Sequence, residues 1–373
     1  MSLPGFTPQQ GLDLYYLIRN IQWRYRLDQA EAEAIARIAR LLGEMREELA
    51  GRISLYAQKT YTRARLETLL AEVEVLLTAA QAQTANVVAE TSGIVGALSL
   101  QEQHSIVSVG GLAKNVKALD VGSSSLGALF LTTPLGGRSL QGWVARAFEG
   151  GQQHIVDAIQ KGLFQGEAYP KIIRRVLREA EHLTTREAIT LTRTYVQSAS
   201  VSAQEAVYGA NKNIVGWVEW SAIMEPGYKQ TGRGTCITCA ALDGLRWRID
   251  DKERPECPKH PRCRCHLLPV VDWQRLGITE NTLDETVRPY TIRPNQNIDA
   301  GGRREILEGG MAEGSWGKWA GTRDSGFKVN AIGPQRYGIW ERSGLSFEAF
   351  MHRLVNKKTG EMYTVQELEG MLL

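Results

Sequence analysis

Apolar residues recur at helical spacing through the first part of the chain. From Leu27 to Leu55, the positions Ile35, Ile38, Leu41, Leu42, Met45 and Leu49 fall on one stripe, and charged residues fill the opposite face. A second run after Tyr61 places Leu66, Leu69, Leu70, Val73, Leu76 and Leu77 on another stripe. A stripe of this kind must be buried against a neighbour. A helical bundle is the ordinary outcome, a coiled-coil seam is the alternative, and the few turns available do not decide between them.

From Thr91 to Arg138 the periodicity weakens. Gly110-Gly111, Gly122 to Ser125 and Pro134 to Gly137 are loop and turn material, so a boundary is expected near Thr91. The apolar stretch Leu126 to Leu131 fits a short strand or a docked loop. Helical spacing returns from Ser139, with Trp143, Val144, Phe148, Ile155, Ile159 and Leu163 on one broad stripe. Beyond Gly166 a third helix carries Ile172, Ile173, Val176 and Leu177, with Arg174, Arg175 and Arg178 on a solvated face. Thr184 followed by Glu187 has capping-box spacing and predicts a fresh helix start, running through Tyr195 toward Tyr208. The period then changes to two. Ile214, Gly216, Val218, Trp220 and Ala222 alternate with Val215, Trp217, Glu219 and Ser221, which predicts a strand.

The end of the chain reads differently. Leu276 to Gly302 is polar, with Pro289, Pro294 and Gly301-Gly302, and predicts an extended linker or arm. Glu308 to Gly326 is Gly-rich with Trp316 and Trp319 interleaved, a pattern expected to anchor in a partner protein's groove. Phe347 to Leu354 and Thr364 to Leu373 predict short helices. Ser346 and Thr364 are their caps, and Thr364 with Glu367 has the capping-box spacing.

Composition narrows the class. A hydrophobic fraction of 43% and a charged fraction of 23% are ordinary for a globular chain, and a net charge of +3 tolerates a nucleic-acid neighbour without arguing for one. No segment reaches the roughly 18 to 20 apolar residues of a membrane helix, and Met1 to Arg26 lacks a signal-peptide pattern. The expectation is a chain that is cytoplasmic when made, with no membrane and no small-molecule substrate.

The cysteines change this picture. All five, Cys236, Cys239, Cys257, Cys263 and Cys265, fall in one short window, which points to metal rather than to a disulfide scaffold. Cys236 and Cys239 are separated by two residues, the spacing that lets a tight knuckle aim two thiolates at one ion. His260 and Cys263 repeat it. Three thiolates and one imidazole suit a tetrahedral, closed and therefore structural Zn2+ shell. Cys265 lies on the same side of an extended segment as Cys263 and is an alternative ligand, as is Cys257. A redox pair would not account for the downstream His and Cys. Between the two halves, Asp243-Gly244 predicts a hairpin turn leading into Leu245, Trp247 and Ile249 as the outgoing strand. Arg246, Arg248, Arg262 and Arg264 are the candidate nucleic-acid contacts. Enzyme signatures are missing: there is no phosphate-binding Gly-x-x-x-x-Gly-Lys-Ser/Thr, no His-Glu-x-x-His and no Gly-x-Ser-x-Gly. No enzyme activity is expected, and the alternative reading is a zinc-containing DNA-binding protein or nuclease.

Cys236-Ile-Thr-Cys-Ala-Ala-Leu-Asp-Gly, followed by His260-Pro-Arg-Cys-Arg-Cys, resembles the signature of the phage Mu F-like minor head protein family. Gly166-Glu-Ala-Tyr-Pro and Leu191-Thr-Arg-Thr194, ahead of the Trp217 to Trp220 strand, are similar to that family as well. The resemblance runs from about Ser139 to Trp273. Glu225 to Gly234 departs from it as an insertion before the knuckle. The resemblance implies a virion protein in the capsid interior near the portal, with roles in head assembly, DNA retention or DNA delivery. Its implied partners are the portal protein, the major capsid protein and packaged double-stranded DNA. On the same pattern Cys236, Cys239, His260 and Cys263 carry over as the metal-binding positions. The expected architecture is α+β and predominantly α-helical. It comprises a helical N-terminal domain (1–91), a Mu F-like domain (92–275) with a zinc-knuckle β-hairpin module at 225–270, and an extended arm with short helices (276–373).

Overall fold

The computed structural model describes residues 8–57, 63–108, 116–119, 122–132, 139–165, 167–226, 234–271, 287–298 and 304–373. Long helices dominate: α1 (Pro8–Ala57), α2 (Arg63–Val107), α3 (Ser123–Thr132), α4 (Leu140–Phe164) and α5 (Tyr169–Ala210). Then follow β1 (Val215–Ser221), the short α6 (Ile237–Leu242), β2 (Arg246–Arg248) and β3 (His266–Val271). A β4 (Val287–Ile298) and β5 (Arg304–Glu313) pair lies ahead of five short helices: α7 (Trp316–Gly321), α8 (Ser325–Ile332), α9 (Pro334–Ser343), α10 (Phe347–Arg353) and α11 (Val365–Leu372). The fold is α+β with helix predominant, as the periodicities require.

The chain divides into two compact units. One comprises Leu27–Ala97 and Val121–Ala199, the other Met1–Arg26, Leu98–Asp120 and Ser200–Leu373. The first is a helical bundle whose core is built from the apolar stripes: Ile38, Leu42, Met45 and Leu49 from α1, Leu69, Val73 and Leu77 from α2, Val144, Phe148 and Ile155 from α4, and Ile172 and Val176 from α5. Burying side chains of this size contributes about 1.5 to 3 kcal/mol each, which is why the stripes decide the helices.

Three expectations fail in this bundle, for identifiable reasons. α2 runs unbroken through Thr91 to Val107, and Leu126 to Leu131 lies in helix α3, neither strand nor loop. Two glycines of this stretch, Gly93 and Gly127, serve close packing. A Cβ on Gly93 would run into the Ser123 carbonyl oxygen, and one on Gly127 would stand 3.1 Å from the Ala89 carbonyl oxygen. Glycine lets α2 and α3 approach backbone to backbone. Thr184 opens no new helix either, because α5 continues through it from Tyr169 to Ala210. A cap acts only where upstream residues leave N–H groups unpaired, and a continuous helix already pairs them.

In the second unit β1 is the central strand of an antiparallel sheet in the order β2-β1-β3. Val218 faces Trp247 on one side, and Trp220 faces Leu267 on the other. The alternation in Ile214 to Ala222 therefore reads correctly as a strand. The expected hairpin at Asp243-Gly244 is replaced by a helix-to-strand turn. Ile237–Leu242 is helical, and Gly244, in the left-handed region at φ 82, turns the chain from α6 into β2. Two conformations compete at this Asp-Gly pair, and α6 wins because it buries Cys239, Ala240, Ala241 and Leu242 together.

The segment expected as an extended linker contains β4, which pairs antiparallel with β5, Tyr290 opposite Gly310 and Pro294 opposite Ile306. The start of that linker, 276–286, lies outside the described residues. Trp316 and Trp319 are not presented to a partner. Both are buried in the chain's own C-terminal helices, with ring centroids 5.7 Å apart, and Phe327 lies 5.4 Å from Trp319. Their neighbours Phe350, Met351 and Leu354 are fully buried. The predicted caps hold: the Ser346 hydroxyl accepts from the Ala349 N–H, and Thr364 forms the full capping box with Glu367. Among the described residues, no helix is long and apolar enough to cross a membrane.

Candidate metal centre

Two knuckles build the centre. The first is α6, where Cys236 caps the helix and its sulfur accepts the Cys239 N–H at 3.3 Å. This places both sulfurs on one side of a single turn. The second is the turn from His260 to Cys263, closed by the Cys263 N–H donating to the His260 carbonyl at 3.0 Å. Arg262 takes a left-handed φ of 62 to close it.

The knuckles face each other. The His260 Nε2 lies 3.1 Å from the Cys236 sulfur and 3.3 Å from that of Cys239, and the sulfurs of Cys239 and Cys263 are 3.8 Å apart. Two overlapping donor groups result, Cys236–Cys239–His260 and Cys239–Cys263–Cys265, each with its atoms within 4.8 Å of one another. Cys239 is common to both. Cys263 and Cys265, buried at 1% and 3% exposure, both reach the cluster, as their same-side spacing anticipates. Cys257 is in neither group and its thiol donates to the Cys265 carbonyl at 3.4 Å. Among the described residues, no carboxylate joins either group.

The electrostatics fit metal ligation. The Pro261 carbonyl can only accept, so the 2.8 Å contact with His260 Nδ1 puts the hydrogen on Nδ1 and turns Nε2 toward the thiols. The hydrogen bond from Cys239 lowers the Cys236 thiol to about 5 against the opposing effect of burial, and His260 contributes in the same direction. Hydrogen bonding to Cys236 raises His260 to about 9, again against burial. Cys263 is held well below the ordinary thiol range, chiefly by Cys239. Burial pushes Cys265 and Cys257 up. Without a metal the cluster thus shares protons among closely packed thiols. A soft divalent cation that replaces those protons relieves the crowding of negative charge.

The supporting residues carry weak sequence signals. Asp243 is fully buried, and its two carboxylate oxygens accept the Ala222 N–H and the Trp316 N–H, each at 2.5 Å. That use makes it a structural clamp. The Tyr208 hydroxyl donates to Gln103 Oε1 at 2.6 Å, with the Leu267 carbonyl at 3.2 Å, and the Leu267 N–H donates to Gln204 at 3.4 Å. These bonds tie the start of β3 to α2 and α5. Only the polar character of residues on otherwise apolar helices hints at them. The candidate nucleic-acid arginines sit around the sheet and knuckle. Arg246 pairs with Glu219 at 2.7 Å, Arg248 with Asp250 at 3.1 Å and Arg264 with Glu225 at 2.5 Å, while Arg262 lies in the second turn.

Residues 153–268 match the family described as phage Mu protein F like protein. The matched segment spans the end of α4, α5, β1 and both knuckles, so the donor cluster lies inside it. This region is Mu F-like. No curated protein and no solved structure matches the chain.

Proposed function

We infer that the chain is a structural minor head protein of a tailed phage, bound near the portal inside the capsid, where it contributes to head assembly, DNA retention or DNA delivery. The observation that carries this reading is the coincidence of the Mu F-like segment with a part-buried Cys/His cluster of closed-shell composition. The metal proposed is one zinc ion, held by Cys236, Cys239, His260 and either Cys263 or Cys265. Zinc suits a donor set of thiolates and an imidazole, and a shell filled by protein ligands supports folding rather than catalysis. No enzymatic role is proposed. The portal protein is the proposed principal partner, with major capsid protein and packaged DNA as neighbours.

Direct action on DNA is the competing reading. Arg246, Arg248 and Arg264 each already face a carboxylate of the same chain, so a phosphate would have to displace that partner. The testing experiment is a pull-down of purified protein with the phage portal ring, with zinc measured on the same sample. Stable association with about one zinc per chain is the expected result. Zinc without portal association, combined with salt-sensitive DNA binding, would transfer the function to the nucleic-acid reading.

A further inference from the structure

The Cys/His cluster and the C-terminal helices meet within one compact unit. On the side of the first knuckle, the Trp316 N–H donates to Asp243 Oδ2 at 2.5 Å, one residue beyond α6. His352 Nε2 donates to the Asp243 carbonyl at 3.0 Å, and the Trp316 indole donates to the Glu225 carbonyl at 2.8 Å. The module also touches the chain that carries the second knuckle. Lys259, next to His260, donates to the Thr359 carbonyl at 2.9 Å, the Trp247 indole donates to the Lys357 carbonyl at 2.8 Å, and Lys358 pairs with Glu253 at 3.2 Å. The backbones come close as well, since a Cβ on Gly360 would stand 2.8 Å from the Pro255 ring.

The segment between these contacts has little support of its own. Residues 250–265, which carry His260 and Cys263, contain neither strand nor helix. The donor cluster lies on one side of them and the C-terminal helices on the other, and the Arg254–Glu205 and Arg264–Glu225 ion pairs add side-chain support. Ordering a segment without a hydrogen-bonded ladder costs conformational entropy, and whichever contact forms first bears that cost for the second.

We propose that metal occupancy of the Cys/His cluster and docking of the C-terminal helical module (315–373) are one coupled equilibrium. The metal locks the module onto the knuckles, and its loss frees the module. The proposal rests on the zinc reading above and goes beyond it, because the module lies outside the matched segment 153–268. Coupling is reciprocal by thermodynamic necessity. Substitutions that weaken docking must therefore weaken metal binding, even though they alter no ligand.

The test uses the full chain with zinc ion as the probe. His352→Ala and Trp247→Phe each remove one docking hydrogen bond and leave every thiol and His260 in place. Zinc affinity is measured by competition with a chromophoric chelator, and hydrogen exchange is followed across 236–265 and 315–373 with and without zinc. The expected result is faster exchange in 315–373 after zinc removal, and zinc affinity reduced at least about fivefold in each variant, the low end of ordinary coupling energies. Two variants from different parts of the interface guard against one of them misfolding. If zinc removal loosens 236–265 alone and both variants bind zinc as tightly as the parent, the coupling is overturned while the zinc site stands. If the parent chain takes up no zinc, both readings fail, and this is visible before any variant is made.

Discussion

Replacing Asp243 with alanine should destabilise the second unit while changing no metal ligand. The carboxylate is fully buried and accepts two backbone N–H groups, from Ala222 at the end of β1 and from Trp316 at the start of α7. A hydrogen bond to a charged acceptor contributes about 1.5 to 3 kcal/mol, so loss of both should cost about 3 to 6 kcal/mol. Domain stabilities are typically about 5 to 15 kcal/mol, so the effect would be large without abolishing the fold. Asp243→Asn keeps the volume and one acceptor oxygen but must turn an amide NH2 toward the other N–H, so it should recover part of the loss. The assay is urea unfolding followed by tryptophan fluorescence in saturating zinc. This signal is selective, because Trp143 is the single tryptophan of the nine that lies in the helical bundle unit. A shift below about 1 kcal/mol for Asp243→Ala would refute the clamp, since even one lost bond of this kind exceeds that. Equal effects of Ala and Asn would show that the side chain's acceptors are not what matters.

Other outcomes follow from the same geometry. Cys236→Ser or His260→Ala should abolish stoichiometric zinc and loosen the knuckles while far-UV circular dichroism keeps the signal of the long helices, whose cores contain no metal donor; retained zinc with unchanged melting in either variant would refute that ligand assignment. Zinc affinity should rise with pH from neutrality toward pH 9. With His260 raised to about 9, the metal-free imidazole is still protonated at neutral pH, so binding must expel a proton, and the cost of expelling it vanishes above that value. Calorimetry in buffers of different ionisation enthalpy reads the released protons, and none at pH 7 would contradict the assignment. Gly93→Val should lower the melting temperature of the helical bundle through overpacking of about 1 to 3 kcal/mol, because its Cβ would meet the Ser123 backbone; unchanged melting would mean that α2 and α3 do not cross this closely.

The sequence alone was enough for the long helices of the bundle, the central strand β1, the C-terminal caps and the segment that gathers the Cys/His cluster. These features share a cause: each is specified by residues near one another in the chain. Apolar period, cap chemistry and Cys-x-x-Cys spacing act over a turn or a few turns, so they can be read without knowing what packs against them. Where the reading failed, a distant neighbour had decided. Ser123 to Ser125 mark no loop, because they open α3, whose Gly127 lies against the α2 backbone. Thr184 starts no helix, because the chain before it is already helical. Asp243 and Gly244 form no hairpin, because the carboxylate is drawn to Ala222 and Trp316 while α6 buries its own small apolar face. Trp316 and Trp319 look like free anchors in the sequence, yet the C-terminal helices supply their pocket. Local chemistry can nominate a cap, a turn or an anchor. Only the tertiary structure decides whether its partner is solvent, another protein, or the chain itself, because burial and long-range hydrogen bonds outweigh the weak local preference.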